Sequence, residues 1–180
     1  MVTRRMPFIL LILCLSFYAS HSGATDETAP AQQAQSHAIL IPGSGSYSRP
    51  SESLAPEAQP YFDQGLRLAW AFYFPESIAS YQEASRLDPS HPMPYWGLAH
   101  AAGPNPNSRY AQMPDDPNGI GKAAINKALS HIERASKVEA ALINALAIFY
   151  NDEAIPDSDA RDHAYLSAMR ALNREYPTDP

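Results

Sequence analysis

Two stretches of this chain superimpose at an offset of 34 residues. Pro60-Tyr61-Phe62 recurs as Pro94-Tyr95-Trp96, and Tyr61, Gln64, Gly65 and Leu68 are answered 34 positions on by Tyr95, Leu98, Ala99 and Ala102. A self-match at this period predicts stacked helical hairpins, because each such unit buries its apolar face only against the next. The fold class expected is therefore all-α: a helical-hairpin solenoid of about three helix pairs spanning residues 58–180.

The first unit, residues 58–91, carries the clearest pattern. Tyr61, Phe62, Gly65, Leu68, Ala69 and Phe72 follow the i, i+3, i+4, i+7 spacing of a helix with one buried face. Pro75 suits the first turn of a second helix, where its missing N–H costs nothing, and Glu76 suits the positive end of the helix dipole. Ile78, Tyr81, Ala84 and Leu87 form the stripe of that second helix. Asp88-Pro89 ends it, since a residue before proline is pushed out of the α region. Small residues at Gly65, Ser77 and Ala84 allow close approach of the two helices, whereas Asp63 is expected on the exposed side.

These positions resemble the tetratricopeptide repeat family, whose pattern runs W-x2-L-G-x2-Y, then A-x3-F, then P. Its places are held here by Tyr61, Gln64, Gly65, Leu68, Ser77, Tyr81 and Pro89, with Ala84 as the second small residue; Gln64 departs from the pattern. A second unit over 92–136 supplies Tyr95, Leu98, Ala99 and Ala102 and then leaves the period. Ala128, Ile132 and Ala135 repeat the spacing of Ser77, Tyr81 and Ala84 only after 17 inserted residues (128 − 77 = 51, against 34). A looser third unit is expected over 137–180, with helices in 138–150 and 161–176. The runs Tyr61–Leu68, Tyr95–Ala99 and Gly103–Asn107 are also similar to a subgroup of long bacterial tetratricopeptide proteins, a likeness that speaks to fold and leaves activity open. It implies a longer solenoid, as does the sequence Tyr176–Pro180 where a polar capping helix would otherwise close the array. Leu166, Met169 and Leu172 are then expected on an uncovered outer face.

The N-terminus reads as an export signal, residues 1–24. Arg4 and Arg5 precede an apolar run from Phe8 to Tyr18, and Ser22-Gly23-Ala24 offers small residues for cleavage. That run is short of the roughly 20 residues a membrane span needs. Cleavage removes the one cysteine, Cys14, together with two arginines and no acid, so the net charge moves from −6 to −8 (11 basic against 19 acidic side chains). An acidic exported chain is a poor match for nucleic acid or anionic membrane, and no membrane span follows the signal. Residues 25–57, rich in Ala, Gln, Ser, Pro and Gly, read as a flexible tether interrupted by the short apolar stretch 38–41, itself taken as loose.

Motifs for chemistry are sparse. Among His21, His37, His91, His100, His131 and His163 no pair at i, i+3 or i+4 exists, and no zinc pattern is formed. The loop 103–118 carries Asn105, Asn107, Arg109, Asp115 and Asp116 without the alternation or closing glutamate of a calcium loop. Asp116-Pro117-Asn118-Gly119 reads as a turn into a helix starting near Ile120. Gly43-Ser44-Gly45-Ser46 lacks the strand and helix of a nucleophile elbow. No metal, cofactor or catalytic set is expected.

The resemblance implies capture of a protein or peptide in a groove lined by the first helix of each pair. The carboxylate-gripping Lys and Asn of one subset are replaced by Phe62, Leu66 and Gly97, so apolar contact is expected instead. Candidate partner-binding residues are Phe62, Leu66, Trp70, Trp96 and His100, joined by Asn105, Asn107 and Arg109 of the loop. The expected function is a non-enzymatic exported scaffold; the alternative is the N-terminal module of a larger enzyme or ligand-binding protein whose active residues lie beyond Pro180.

Overall fold

The computed structural model of the protein describes residues 38–103 and 112–179. The expected signal and residues 25–37, and with them Asn105, Asn107 and Arg109, lie outside that range. Among the described residues there are six α-helices and no strand: α1 (Gln59–Trp70), α2 (Phe74–Leu87), α3 (Pro92–Ala102), α4 (Pro117–Leu129), α5 (Lys137–Phe149) and α6 (Ser158–Glu175). Consecutive helices pack as pairs, α1 with α2, α3 with α4 and α5 with α6. α3 also touches α1 and α5, so the first helices of successive pairs stand side by side. No helix of the described residues is long and apolar enough to cross a membrane.

Local chemistry sets the helix ends. Pro75 lies in the first turn of α2, and the Schellman bonds Phe72 N–H to Ala69 O (3.1 Å) and Tyr73 N–H to Leu68 O (2.9 Å) close α1. That closure places Phe72 in the left-handed region (φ 66°), so α1 stops two residues before the expected stripe does. The Asp116 carboxylate accepts from Gly119 N–H at 2.9 Å and starts α4 at Pro117. Ser136 and Glu139 form a reciprocal capping box on α5.

The second pair differs from the sequence reading. α4 ends at Leu129, and Ile132 falls in a 3-10 turn, Ile132–Arg134. Arg134 draws that turn onto the α2–α3 connection, donating to Asp88 at 2.9 Å and to the Ser53 carbonyl at 2.8 Å. The buried residues that repeat the spacing of Ser77, Tyr81 and Ala84 are Gly121, Ile125 and Ala128, so the shift is 125 − 81 = 44 residues and the insertion is ten.

Two tyrosines lock the array. The Tyr81 ring lies against both Gly65 of α1 and Gly97 of α3, in the space a side chain at either would need. Tyr150, just after α5, donates to the Ala99 carbonyl at 2.6 Å, and its hydroxyl lies where side chains at Gly103 and Gly121 would otherwise go.

The reading of 25–57 as a tether is corrected for residues 38–57. This segment runs along α1 as a strap tied by hydrogen bonds to Gln59, Asp63, Gln64 and Arg67. Asp63, expected outside, is buried beneath it and accepts from Ser48 Oγ (2.6 Å) and Arg49 N–H (3.0 Å). A second face of α1 is thereby covered, which explains why residues from Phe62 to Ala69 are buried with Arg67 the one exception. The outer face expected on α6 is also revised. Leu172 is in the core, Met169 is half-buried, and Leu166 alone of the three is exposed.

Candidate functional site: an aromatic cleft across the first helices

A cleft of about 170 Å3 opens where the first helices of the pairs stand together. Residues one helical turn apart face it in couples: Leu66 and Trp70 from α1, Trp96 and His100 from α3, Tyr165 and Met169 from α6. Leu142 of α5 adds a wall, and Tyr47 and Arg49 of the strap complete it. The rings are ordered by contact: Tyr47 tilts onto Trp70 with centroids 4.6 Å apart, and Trp96 stacks on His100 at 5.6 Å and 20°.

Polar groups in the cleft are few. The Arg49 guanidinium is buried and pairs with Asp179 at 2.8 Å. His100 Nδ1 and Tyr47 Oη are buried without a hydrogen-bond partner among the described residues. Burial holds the His100 imidazole below its usual range, which keeps it neutral and able to accept or donate one bond. Among the described residues the lining is apolar and aromatic apart from the His100 imidazole, the Arg49 guanidinium and the tyrosine hydroxyls. No group of three or more His, Cys, Asp or Glu among the described residues is placed to hold a metal.

Of the residues singled out in the sequence, Leu66, Trp70, Trp96 and His100 meet in this cleft. Phe62 does not; it is fully buried against Tyr81 with ring centroids 5.8 Å apart. Tyr165 escaped sequence reading, and Met169 was expected on an outer face instead, because residues 137–180 match the period loosely, although the i, i+4 spacing of the two repeats that of Leu66 and Trp70. Tyr47 and Arg49 escaped it because nothing in a Ser-, Gly- and Pro-rich stretch marks it as packed. A second hollow, around Arg49, Glu139 and Asp179, is walled by polar groups already joined to one another: Arg49 to Asp179, and Glu139 to Ser51 and Ser136.

No protein-family model, no curated protein and no solved structure matches this chain.

Proposed function

We propose that this protein is an exported, non-enzymatic scaffold of the tetratricopeptide repeat type, which holds a protein or peptide partner by seating one of its apolar side chains in the aromatic cleft. The observation that carries this reading is the assembly of Leu66, Trp70, Trp96, His100, Tyr165 and Met169 into one cleft from three different helices. Its volume, about 170 Å3, falls below the roughly 300 Å3 at which small-molecule and cofactor sites begin, and suits a single anchoring residue. Trp70, 53% exposed, supplies the kind of accessible aromatic edge that dominates protein interfaces. Support for the repeat type is the 34-residue self-match together with the paired helices; support for export is the sequence of residues 1–24.

Selection of random displayed peptides on the purified chain tests the cleft. Enriched peptides should share an aromatic or aliphatic anchor and should bind Trp70→Ala and Met169→Asp at least about tenfold more weakly, the loss typical of one interface anchor. Enrichment that is indifferent to both variants would sink the proposal. Intact-mass analysis from the native source tests export, with an N-terminus at or near Thr25 expected and a chain retaining Met1 or Val2 counting against it.

A further inference from the structure

Two glutamines on α1 treat the strap as a neighbouring β-strand would. Gln64 Nε2 donates to the carbonyl of Ile39 at 2.9 Å while its Oε1 accepts from Ile41 N–H at 2.7 Å. Gln59 Nε2 donates to the carbonyl of Arg49 at 2.9 Å while its Oε1 accepts from Ser51 N–H at 3.1 Å. Each side-chain amide thus bridges the C=O of one residue and the N–H of the residue two further on, as the N–H and C=O of a single residue do across a parallel ladder. Between them Arg67 donates to the Tyr47 carbonyl at 2.7 Å and Asp63 accepts from Arg49 N–H. The backbone groups taken fall in two short pieces, 39–41 and 47–51, and within each they belong to alternate residues, as along one edge of an extended chain. A turn at 42–44, closed by Ser44 N–H on the Ile41 carbonyl at 3.3 Å, separates the two.

The amides are held in readiness by their surroundings. Gln64 is buried, and its Nε2 also donates to Ser80 Oγ at 3.0 Å; Gln59 Nε2 also donates to Asp63 Oδ1 at 2.8 Å. At the Gln64 end the strap gives little in return from its own side chains, since Ile39 is 76% exposed and Leu40 and Ile41 are exposed as well. Recognition there is of main chain.

We propose that the polar side of α1 is a second peptide-binding site, specific for extended backbone, and that residues 39–51 are its built-in occupant. A replacement must offer C=O and N–H groups two residues apart at each glutamine and, at the Gln59 end, side chains that satisfy the buried Asp63 and Glu139 as Ser48 and Ser51 do. The strap also carries Tyr47 and Arg49, which wall the aromatic cleft, so displacement of the strap opens that cleft. The inference deepens the scaffold reading above and rests on it for its biological use, while the site itself rests on the two glutamines.

The test uses the full chain with a protease site placed at the exposed turn Glu52–Ser53 and cut after folding. Fluorescein-labelled synthetic peptide of residues 38–52 should exchange into the cut protein, read by polarisation. Replacing Ile39, Leu40 and Ile41 by threonine in that peptide should change its affinity less than about threefold, whereas N-methylation at residue 41 or 51 should weaken it at least about tenfold, because a blocked N–H strands a buried acceptor. Side-chain replacements that weaken binding as much as N-methylation would overturn the proposal, as would failure of any peptide to enter a cut protein that keeps its helical spectrum. If cutting unfolds the chain, amide exchange on the intact protein decides. Gln64→Ala should release the Ile41 amide and Gln59→Ala the Ser51 amide, with α2–α5 amides unchanged, and retained protection at both would defeat the idea. Peptide selection on the cleft is read separately with Trp70→Ala, so loss of one site leaves the other standing.

Discussion

The Tyr81 ring leaves no room for a side chain at Gly97: a Cβ placed there would stand 2.2 Å from Cε1 of the tyrosine. The same ring atoms crowd Gly65, at 2.7 Å. Three helices therefore meet through one phenol. Gly97→Ala should destabilise the protein by about 1–3 kcal/mol through overpacking. Combining it with Tyr81→Leu should recover part of that loss, which would appear as coupling in a double-mutant cycle of urea melts. An unchanged midpoint for Gly97→Ala would mean the three helices are not packed as described.

Tyr81 Oη is buried without a hydrogen-bond partner among the described residues, and burial pushes the phenol well above its ordinary pKa. Tyr81→Phe removes an unsatisfied hydroxyl while keeping the ring. It should leave stability unchanged or raise it by up to about 1 kcal/mol. A clear loss would reveal a partner for that hydroxyl.

Much of this packing was legible in the sequence. The period of 34 and the stripe Ile78, Tyr81, Ala84 lead to α1 and α2, because a helix buried on one face writes its contacts at fixed spacing. Gly65 was readable as a close-approach point for the same reason. Gly97 was not, since its neighbour Tyr81 lies in the preceding pair and no local pattern encodes that meeting. Gln64 stood out as a departure from the family pattern. Its meaning needed the strap, a stretch whose hydrogen bonds go to side chains and so leave no periodic trace. The cleft couples of α1 and α3 were both visible in full, Leu66 with Trp70 and Trp96 with His100, while the α6 couple, Tyr165 and Met169, lies where the 34-residue match is loose.

Asp63 provides a direct contrast between the two views. Read from spacing it faces solvent, yet it lies beneath the strap holding Ser48, Arg49 and Gln59. Asp63→Leu should therefore cost about 2 kcal/mol or more, because at least one buried N–H loses its acceptor. Rapid amide exchange at Arg49 should accompany it. A substitution without effect on either reading would restore the solvent-facing assignment.

Acid should lower the stability of the protein over two ranges of pH. Burial holds His100 below its ordinary range, so the unfolded chain takes up a proton first, near pH about 6.5, and stability present above that value declines as pH falls through the folded pKa. Asp88 follows. Burial raises it, but hydrogen bonds from Arg134, Ala55 N–H and Ser90 outweigh that effect and leave it lowered, so its contribution is present above pH about 3.9 and is lost below. Urea midpoints measured from pH 8 to 3 should lose the upper limb in His100→Leu and the lower limb in Asp88→Asn. Identical profiles for wild type and both variants would refute the assignment.

Phe72 occupies the left-handed C-terminal position of α1 that glycine usually fills, and its ring is 56% exposed. Phe72→Gly should stabilise the chain by about 1 kcal/mol, the relief of a side chain held at positive φ. A lower melting midpoint would show that its ring contact with Phe74, at 6.2 Å between centroids, matters more than the backbone.

Tyr150 has one more consequence. Its hydroxyl sits between Gly103, where the chain leaves α3, and Gly121, inside the helix to which the chain returns. The two ends of the inserted loop are therefore spaced by a residue of neither end, fixed from the next pair along. The chain thus leaves α3 and re-enters α4 past a doorpost that belongs to neither, and the width of that opening is set from α5.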